Sequence, residues 1–270
     1  MSAPFADLAL ARRLEGCEGW SNVDFVEARA RVMPEVGACW TQSGGALAMF
    51  DGAESPVTQT FGVGLFEPPD ARMLSELEQF FESRGAPVWH EVSPLADPAL
   101  LTLLNERHYQ PRELTSVLYR DPKAPVSAVV APAASVRIVG AADADVWGDT
   151  SVRGWSESPE VADFMLGLAR VTAARRHAVM FLAEMAGRPV GAAALSVRDD
   201  VAQLAGASTV LEARRHGVQL ALLEARLRFA AAQGCELVTM GALPGSASQR
   251  NAERHGFRIA YTRIKWLRRS

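Results

Sequence analysis

Apolar and charged positions recur at helical spacing over residues 6–15, and a second helical stretch is expected near residues 25–32. Residues 37–50, 57–66 and 88–92 read as strands, each bounded by Gly, Pro or Asp. Pro68 and Pro69 open a helix over residues 71–83 that sets Leu74, Leu77 and Phe81 on one face, and Gly85 closes it. A helix over residues 98–107 and a strand over 114–120 complete the first half. In the second half, residues 136–139 read as a strand, and Ala141-Ala142-Asp143 can start a helix. Residues 145–151 and 159–170 read as helices, and residues 179–184 and 189–197 as a hairpin across Ala186-Gly187-Arg188. A strand over 237–240, a Ser-capped helix over 246–255 and a strand over 257–267 end the chain.

The stretch that organises the second half is residues 204–227. It begins as a strand of small and apolar residues and passes through the turn Arg214-Arg215-His216-Gly217-Val218-Gln219. It then becomes a helix with Leu220, Leu223 and Leu227 on one face and Glu224, Arg226 and Arg228 mostly elsewhere. A strand that breaks at a Gly-bearing turn into a helix exposes unpaired backbone N–H groups, and the helix dipole stands behind them. That is an anion site, and two arginines in the same turn favour phosphate.

The 270 residues make two domains the natural division, and 49% hydrophobic residues supply their cores. With 28 basic and 31 acidic residues, the net charge of −3 argues against a nucleic-acid binder. Cys17, Cys39 and Cys235 are scattered and form no CxxC pair, so neither a metal site nor a disulfide framework is expected. His90-Glu91 is followed by Pro94 where a zinc motif needs His. The first residues lack the pattern of a signal peptide, and no run reaches a membrane span. A soluble cytoplasmic protein with no membrane partner is expected.

Glu106-Arg107-His108 can be laid on Glu253-Arg254-His255, and Thr115 on Thr262, at one constant offset. The order of elements matches too, which points to a duplicated fold: residues 1–122, a Pro/Ala/Val-rich linker over 123–135, and residues 136–270. The copies differ where a phosphate loop would stand. The first carries Glu67-Pro68-Pro69-Asp70, with two N–H donors removed and two carboxylates added.

Arg214-x-x-Gly217-x-Gln219 and the helix after it resemble motif A of the GCN5-related N-acetyltransferases (GNAT), with Gln219 in place of the usual small residue. Ser248-x-x-Asn251-x-x-Arg254-x-Gly256-Phe257, before a strand ending in Trp266, resembles motif B of the same family. The resemblance covers residues 136–268 well and the first half weakly. It implies an α/β fold of two tandem GNAT-like domains, each a mixed, mostly antiparallel sheet flanked by helices, the first a degenerate copy.

It also implies acetyl-CoA as co-substrate, without a metal, and direct transfer of the acetyl group to a primary amine of a small molecule or peptide. By position, Thr209 and Val210 would meet the pantetheine arm, with Val210 N–H polarising the thioester carbonyl. Arg214, Arg215, His216, Gly217, Val218, Gln219 and Leu220 would cradle the pyrophosphate, and Asn251 would reach the arm from the motif B helix. Gly206 would suit a bulge that splays its strand from the next. The acid that many relatives place as Tyr on the motif B helix is Ala252 here; Tyr261 could substitute as acid, and Glu184 and Gln203, on strands that border the site, or a water chain in place of either, are the candidates for the base. Trp155, Ser156 and Glu157 are candidates for the amine pocket. An acyl-CoA-binding sensor or regulatory protein that has lost turnover is the alternative reading.

Overall fold

The structure, a computed structural model, describes residues 4–126, 134–155 and 159–268. Part of the expected linker, residues 127–133, and the pocket candidates Ser156 and Glu157 lie outside the described residues. In chain order the first half carries α1 (Leu8–Val32), β1 (Cys39–Ser43), β2 (Ala46–Phe50), β3 (Gln59–Phe61), α2 (Ala71–Glu82), β4 (Val88–Val92), α3 (Ala99–Glu106) and β5 (Gln110–Arg120). The second half carries β6 (Ser135–Val139), α4 (Ala144–Trp155), α5 (Pro159–Ala173), β7 (Ala178–Met185), β8 (Arg188–Arg198) and β9 (Val201–Thr209). It ends with α6 (Val218–Ala232), β10 (Leu237–Ala242), α7 (Ala247–Arg254) and β11 (Arg258–Arg268).

The chain divides into two compact units, Met1–Tyr119 with Gly241–Ser270, and Arg120–Met240. The division differs from the linear one expected from the repeat, because the last helix and strand pack with the first unit. There β11 runs antiparallel to both β4 and β5, filling the gap between them.

In the first unit the sheet lies between two helical layers. Ala46, Ala48 and Phe50 of β2 pack with Leu74, Leu77 and Phe81 of α2 and Leu100 and Leu104 of α3. The alternate residues Leu47 and Met49 pack with Val23 and Val26 of α1, as the twofold period of a strand requires. Two local expectations change. The run read as one strand is a hairpin, because Gly44 and Gly45 take left-handed φ (53° and 77°). The two short helices expected in the first 32 residues are one helix, capped by Asp7, whose carboxylate accepts from Leu10 N–H at 2.9 Å. Gly19 lets that helix approach the sheet: a Cβ there would stand 3.0 Å from Leu47 Cδ1.

The repeat is also registered differently in space. Tyr109 N–H donates to the Leu104 carbonyl and Phe257 N–H to the Ala252 carbonyl, the same closure at the ends of α3 and α7. His108 (φ 61°) therefore corresponds to Gly256 (φ 82°), one residue off the alignment that paired His108 with His255.

β11 brings charge into the first unit's interior. Arg263 is 3% exposed. It donates to Glu18 through both terminal nitrogens (2.6 and 2.8 Å) and approaches Glu15 at 3.4 Å. Its Nε lies 2.9 Å from Glu91 Oε2, an ion pair without hydrogen-bond alignment. Tyr261 donates its hydroxyl proton to Glu15 Oε1 at 2.9 Å.

Three carboxylates thus share one guanidinium. Burial, opposed by Arg263, pushes the Glu15 carboxyl up to about 7. A folded-state value above the ordinary 4.5 means that the folded state holds the proton more tightly. The stability this contributes is complete below pH 4.5 and is lost as pH rises to about 7. The gap corresponds to about 3 kcal/mol. Glu15→Gln, which still accepts from Tyr261, is expected to flatten the dependence of urea unfolding on pH between about 5 and 8. An unchanged pH profile would place the titration elsewhere.

In the second unit β6, β7, β8 and β9 form an antiparallel ladder, and β10 joins β9 in parallel. Met180, Leu182, Ala192 and Ala194 pack toward α4 and α5. On the other residues of the alternation, Phe181 meets Phe229 of α6 edge-on, with centroids 5.8 Å apart. The α6 face departs from the sequence reading at one position: Arg226 is 4% exposed, not on the solvent side. It donates to the carbonyls of Leu222 (3.1 Å) and Ala194 (3.4 Å), and burial pushes its guanidinium down to about 10.

Candidate cofactor cradle

The site is built where β9 leaves the sheet. Between Ala192 and Ala194 of β8, the two residues Gly206 and Ala207 of β9 oppose the single Ala193. Gly206 takes φ 59°, so the bulge stands at the glycine that the sequence offered for it. Trp147 of α4 satisfies carbonyls at this irregular point: its indole N–H donates to Phe181 O and Ala193 O, each at 3.2 Å. The parallel ladder to β10 ends at Thr239, paired with Gln203, and β9 runs on to Thr209 with β8 alone as its strand partner.

Two glycines that the sequence reading passed over bring the neighbouring elements close. A Cβ at Gly191 would stand 2.7 Å from Val218 Cγ1 and 3.1 Å from the Ser208 carbonyl oxygen, so α6 starts directly over β8. A Cβ at Gly154 would stand 2.6 Å from Ser208 Cβ and 2.8 Å from Thr209 N, so the last turn of α4 lies against the end of β9. Ser208 fixes this contact by donating to the Ser151 carbonyl at 3.0 Å. For Gly191 the available signal was a glycine inside the strand read over residues 189–197, which suggests a bulge or a close backbone approach.

Beyond Val210 the chain makes a short 3₁₀ turn over Leu211–Ala213. Arg215 (φ 67°) and Gly217 (φ 78°) then take left-handed conformations, and α6 begins. The glycine bears this without cost; the arginine bears it at about 1 kcal/mol. Gly217 is the residue before the helix and offers no side-chain cap. Among the described residues, no acceptor meets the backbone N–H groups from Arg215 to Leu220. This run of open donors at the positive end of a 15-residue helix suits a phosphate or pyrophosphate, and the turn fits the group that motif A implies.

The side chains around it behave differently from the simple expectation. The Arg214 guanidinium ties the turn to its surroundings, donating to Thr209 O (3.4 Å) and Gly154 O (3.2 Å). His216 Nδ1 lies 2.9 Å from the Arg214 carbonyl oxygen, on the surface. Gln219, at the position where the motif usually has a small residue, donates from Nε2 to Thr209 Oγ1 at 2.6 Å. It thereby joins the first turn of α6 to the end of β9. Val218 is buried and holds the helix to the sheet; Leu220 is half-buried.

Val210 corrects one expectation. Its N–H donates to the Val190 carbonyl at 3.0 Å, so it closes the ladder instead of standing open for a thioester oxygen. Glu184 on β7 is held by Arg137 (3.0 Å), which also forks onto Asp143. Trp155, ending α4, is 53% exposed.

Asn251 on α7 and Tyr261 on β11 belong to the first unit. Tyr261 is 8% exposed, and burial, reinforced by the Glu15 carboxylate, pushes its hydroxyl far above the ordinary range. Its proton is committed to Glu15, which gives it a structural bond in place of an acid's freedom.

The corresponding turn of the first unit is closed. Phe66 fills it: Cβ atoms at Gly45 and Gly62 would stand 2.5 and 2.6 Å from the Phe66 side chain. Arg12 donates to the carbonyls of Leu65 and Phe66 (2.8 and 3.3 Å). Asp70 caps α2, accepting from Met73 N–H at 2.7 Å. The helix start that would receive an anion carries its own carboxylate.

Among the described residues, no helix is long and apolar enough to cross a membrane. No curated protein matches the sequence. The family described as Acetyltransferase (GNAT) domain matches residues 123–251. A GCN5-related N-acetyltransferase from Kribbella flavida is 16% identical with a TM-score of 0.65, over 91% of this chain and 94% of its own. A tandem GNAT protein from the clavulanic acid biosynthesis pathway is 15% identical with a TM-score of 0.62, over 91% of this chain and 87% of its own. A GNAT-family protein from Novosphingobium aromaticivorans DSM 12444, described as an acetyltransferase, is 18% identical with a TM-score of 0.52, over 90% and 95%. Residues 123–251 thus match the GNAT acetyltransferase domain family, and the chain shares its fold with GNAT-family structures, one of them a tandem GNAT protein.

Proposed function

We propose that the second unit binds acetyl-CoA at the turn from Thr209 to Leu220 and that the protein transfers the acetyl group to a primary amine of a small molecule or peptide. The observation that carries this reading is the run of open backbone N–H groups from Arg215 to Leu220 at the start of α6, within the stretch matched by the acetyltransferase family. Those donors would hold the pyrophosphate, with Arg214 and Gln219 keeping the turn against Gly154 and Thr209. The splayed end of β9, past its last pair with β10, supplies free strand edge for the pantetheine arm. When bound, the thioester supplies an activated acyl carbon, and the protein's task is to position the amine and remove its proton.

A second reading rests on one observation: Val210 N–H is already bonded to Val190 O, and Tyr261 to Glu15. Neither donor stands ready to stabilise charge in a reaction. On that reading the protein binds acyl-CoA without turnover, as a sensor or regulator.

One experiment separates them. Acetyl-CoA is titrated calorimetrically into the full chain, and release of free thiol is followed with a panel of primary amines. The expected result is one bound equivalent and amine-dependent thiol release. Binding without thiol release for any amine supports the second reading, two equivalents would contradict the closed turn of the first unit, and no binding would overturn both readings.

A further inference from the structure

The first unit's sheet ends at β1, with β2 on one side and, among the described residues, no strand on the other. The two-residue turn at Gly44 and Gly45 makes Ser43 and Ala46 a hydrogen-bonded pair. The alternation of an antiparallel ladder then turns the N–H and C=O groups of Trp40 and Gln42 toward the open side. Among the described residues these groups have no backbone partner. Nothing in the strand Cys39-Trp40-Thr41-Gln42-Ser43 protects the edge: it has no lysine, no proline, no charge and no bulge.

The charges beside this edge are ordered. At the Cys39 end stands Arg84, with Nε 3.2 Å from Cys39 Sγ. Its guanidinium is held 4.2 Å over the Phe80 ring and donates to the Phe80 carbonyl at 2.6 Å. At the Ser43 end stands Glu76, which accepts from Ser43 Oγ at 2.7 Å and from Arg72 Nε at 2.8 Å. Between them an open cleft of about 400 Å³ runs along Thr41, Leu77 and Phe80.

We propose that a second copy of this chain pairs along the edge, β1 against β1, antiparallel about Thr41, to form a symmetric dimer. In that register Trp40 of each copy lies opposite Gln42 of the other, and the outward N–H and C=O groups of both are satisfied. The same twofold axis brings the Arg84 end of each copy to the Glu76 end of the other, so both ends are complementary. A parallel pairing would set Arg84 against Arg84. Thr41 meets its own counterpart on the axis, which makes it the most sensitive position for a new charge.

Sedimentation velocity of the full chain over about 1–100 µM tests the proposal against the affinity range of a modest interface. The wild type is expected to dimerise with rising concentration, and Thr41→Lys, which sets two ammonium groups face to face, to remain monomeric with an unchanged thermal midpoint. Arg84→Glu is expected to weaken the dimer about tenfold, since two like-charge contacts replace two attractive ones. Combining it with Glu76→Arg reverses the polarity of both ends and is expected to restore the wild-type dimer. A wild type monomeric throughout, a dimer indifferent to Thr41→Lys, or a double variant no better than Arg84→Glu would each overturn the proposal.

Discussion

Arg263→Met is expected to destabilise the first unit by about 3–5 kcal/mol, the cost of removing one partner from a buried ionic cluster. The guanidinium is the cation on which Glu15, Glu18 and Glu91 converge, and it is almost fully enclosed. Methionine fills the volume but neutralises nothing, so three carboxylates would be left to repel one another or take up protons. The penalty grows with pH, because each carboxyl that binds a proton below neutrality relieves part of it. Urea unfolding at about pH 5 and pH 8 should show a small loss at the lower value and a large one at the higher. If Arg263→Met does not accumulate as folded protein, adding Glu15→Gln and Glu18→Gln should recover it. A variant as stable as the wild type at both pH values would mean that the cluster carries no net charge in the folded state.

Gly217→Asp is expected to abolish cofactor binding while leaving the fold intact. The substitution puts a carboxylate among the open amides that start α6, where the proposed ligand would bring its own negative charge. A repulsion and lost contacts worth about 3 kcal/mol lower acetyl-CoA affinity about a hundredfold or more. Stability should change little. Asp pays about 1 kcal/mol for the left-handed φ of 78° and regains about as much by capping a helix that has no side-chain cap. Gly217→Asn is the control: it has the same shape, tolerates the left-handed region and carries no charge, so its affinity should remain within about tenfold of wild type. Calorimetric titration of acetyl-CoA into the three proteins reads the difference. Equal losses for Asp and Asn would assign the effect to backbone strain and argue against an anion at this turn.

Much of this architecture was legible because it is local. Leu74, Leu77 and Phe81 repeat at a helical period, and that face is the buried one. The strand-to-helix turn at Arg214 to Gln219 announces open donors from chain connectivity alone, since a helix start leaves its first amides unpaired wherever it occurs. Gly206 marked a bulge for the same reason, as a residue able to take a positive φ inside a strand. The closed turn of the first unit was foreshadowed by Pro68, Pro69 and Asp70, although Phe66 as the plug was not.

What tertiary structure alone decided depends on residues distant in the chain. Tyr261 stands 246 residues from Glu15 and Arg263 245 from Glu18, yet they spend their polar atoms on those two carboxylates. A tyrosine that resembles a catalytic acid in sequence is thereby turned into a packing group. The Val210 amide looked free in the sequence and is bonded to Val190 across the ladder, because register is a property of two strands and not of one. Arg226 lies on the buried side of α6 because two carbonyls, one on the neighbouring strand β8, receive its protons. By itself the sequence determined most of the elements and the strand-to-helix turn whose amides start α6. Which donors stay open, which charges are buried and which unit receives the final strand were decided by long-range pairing, whose energies no local pattern records.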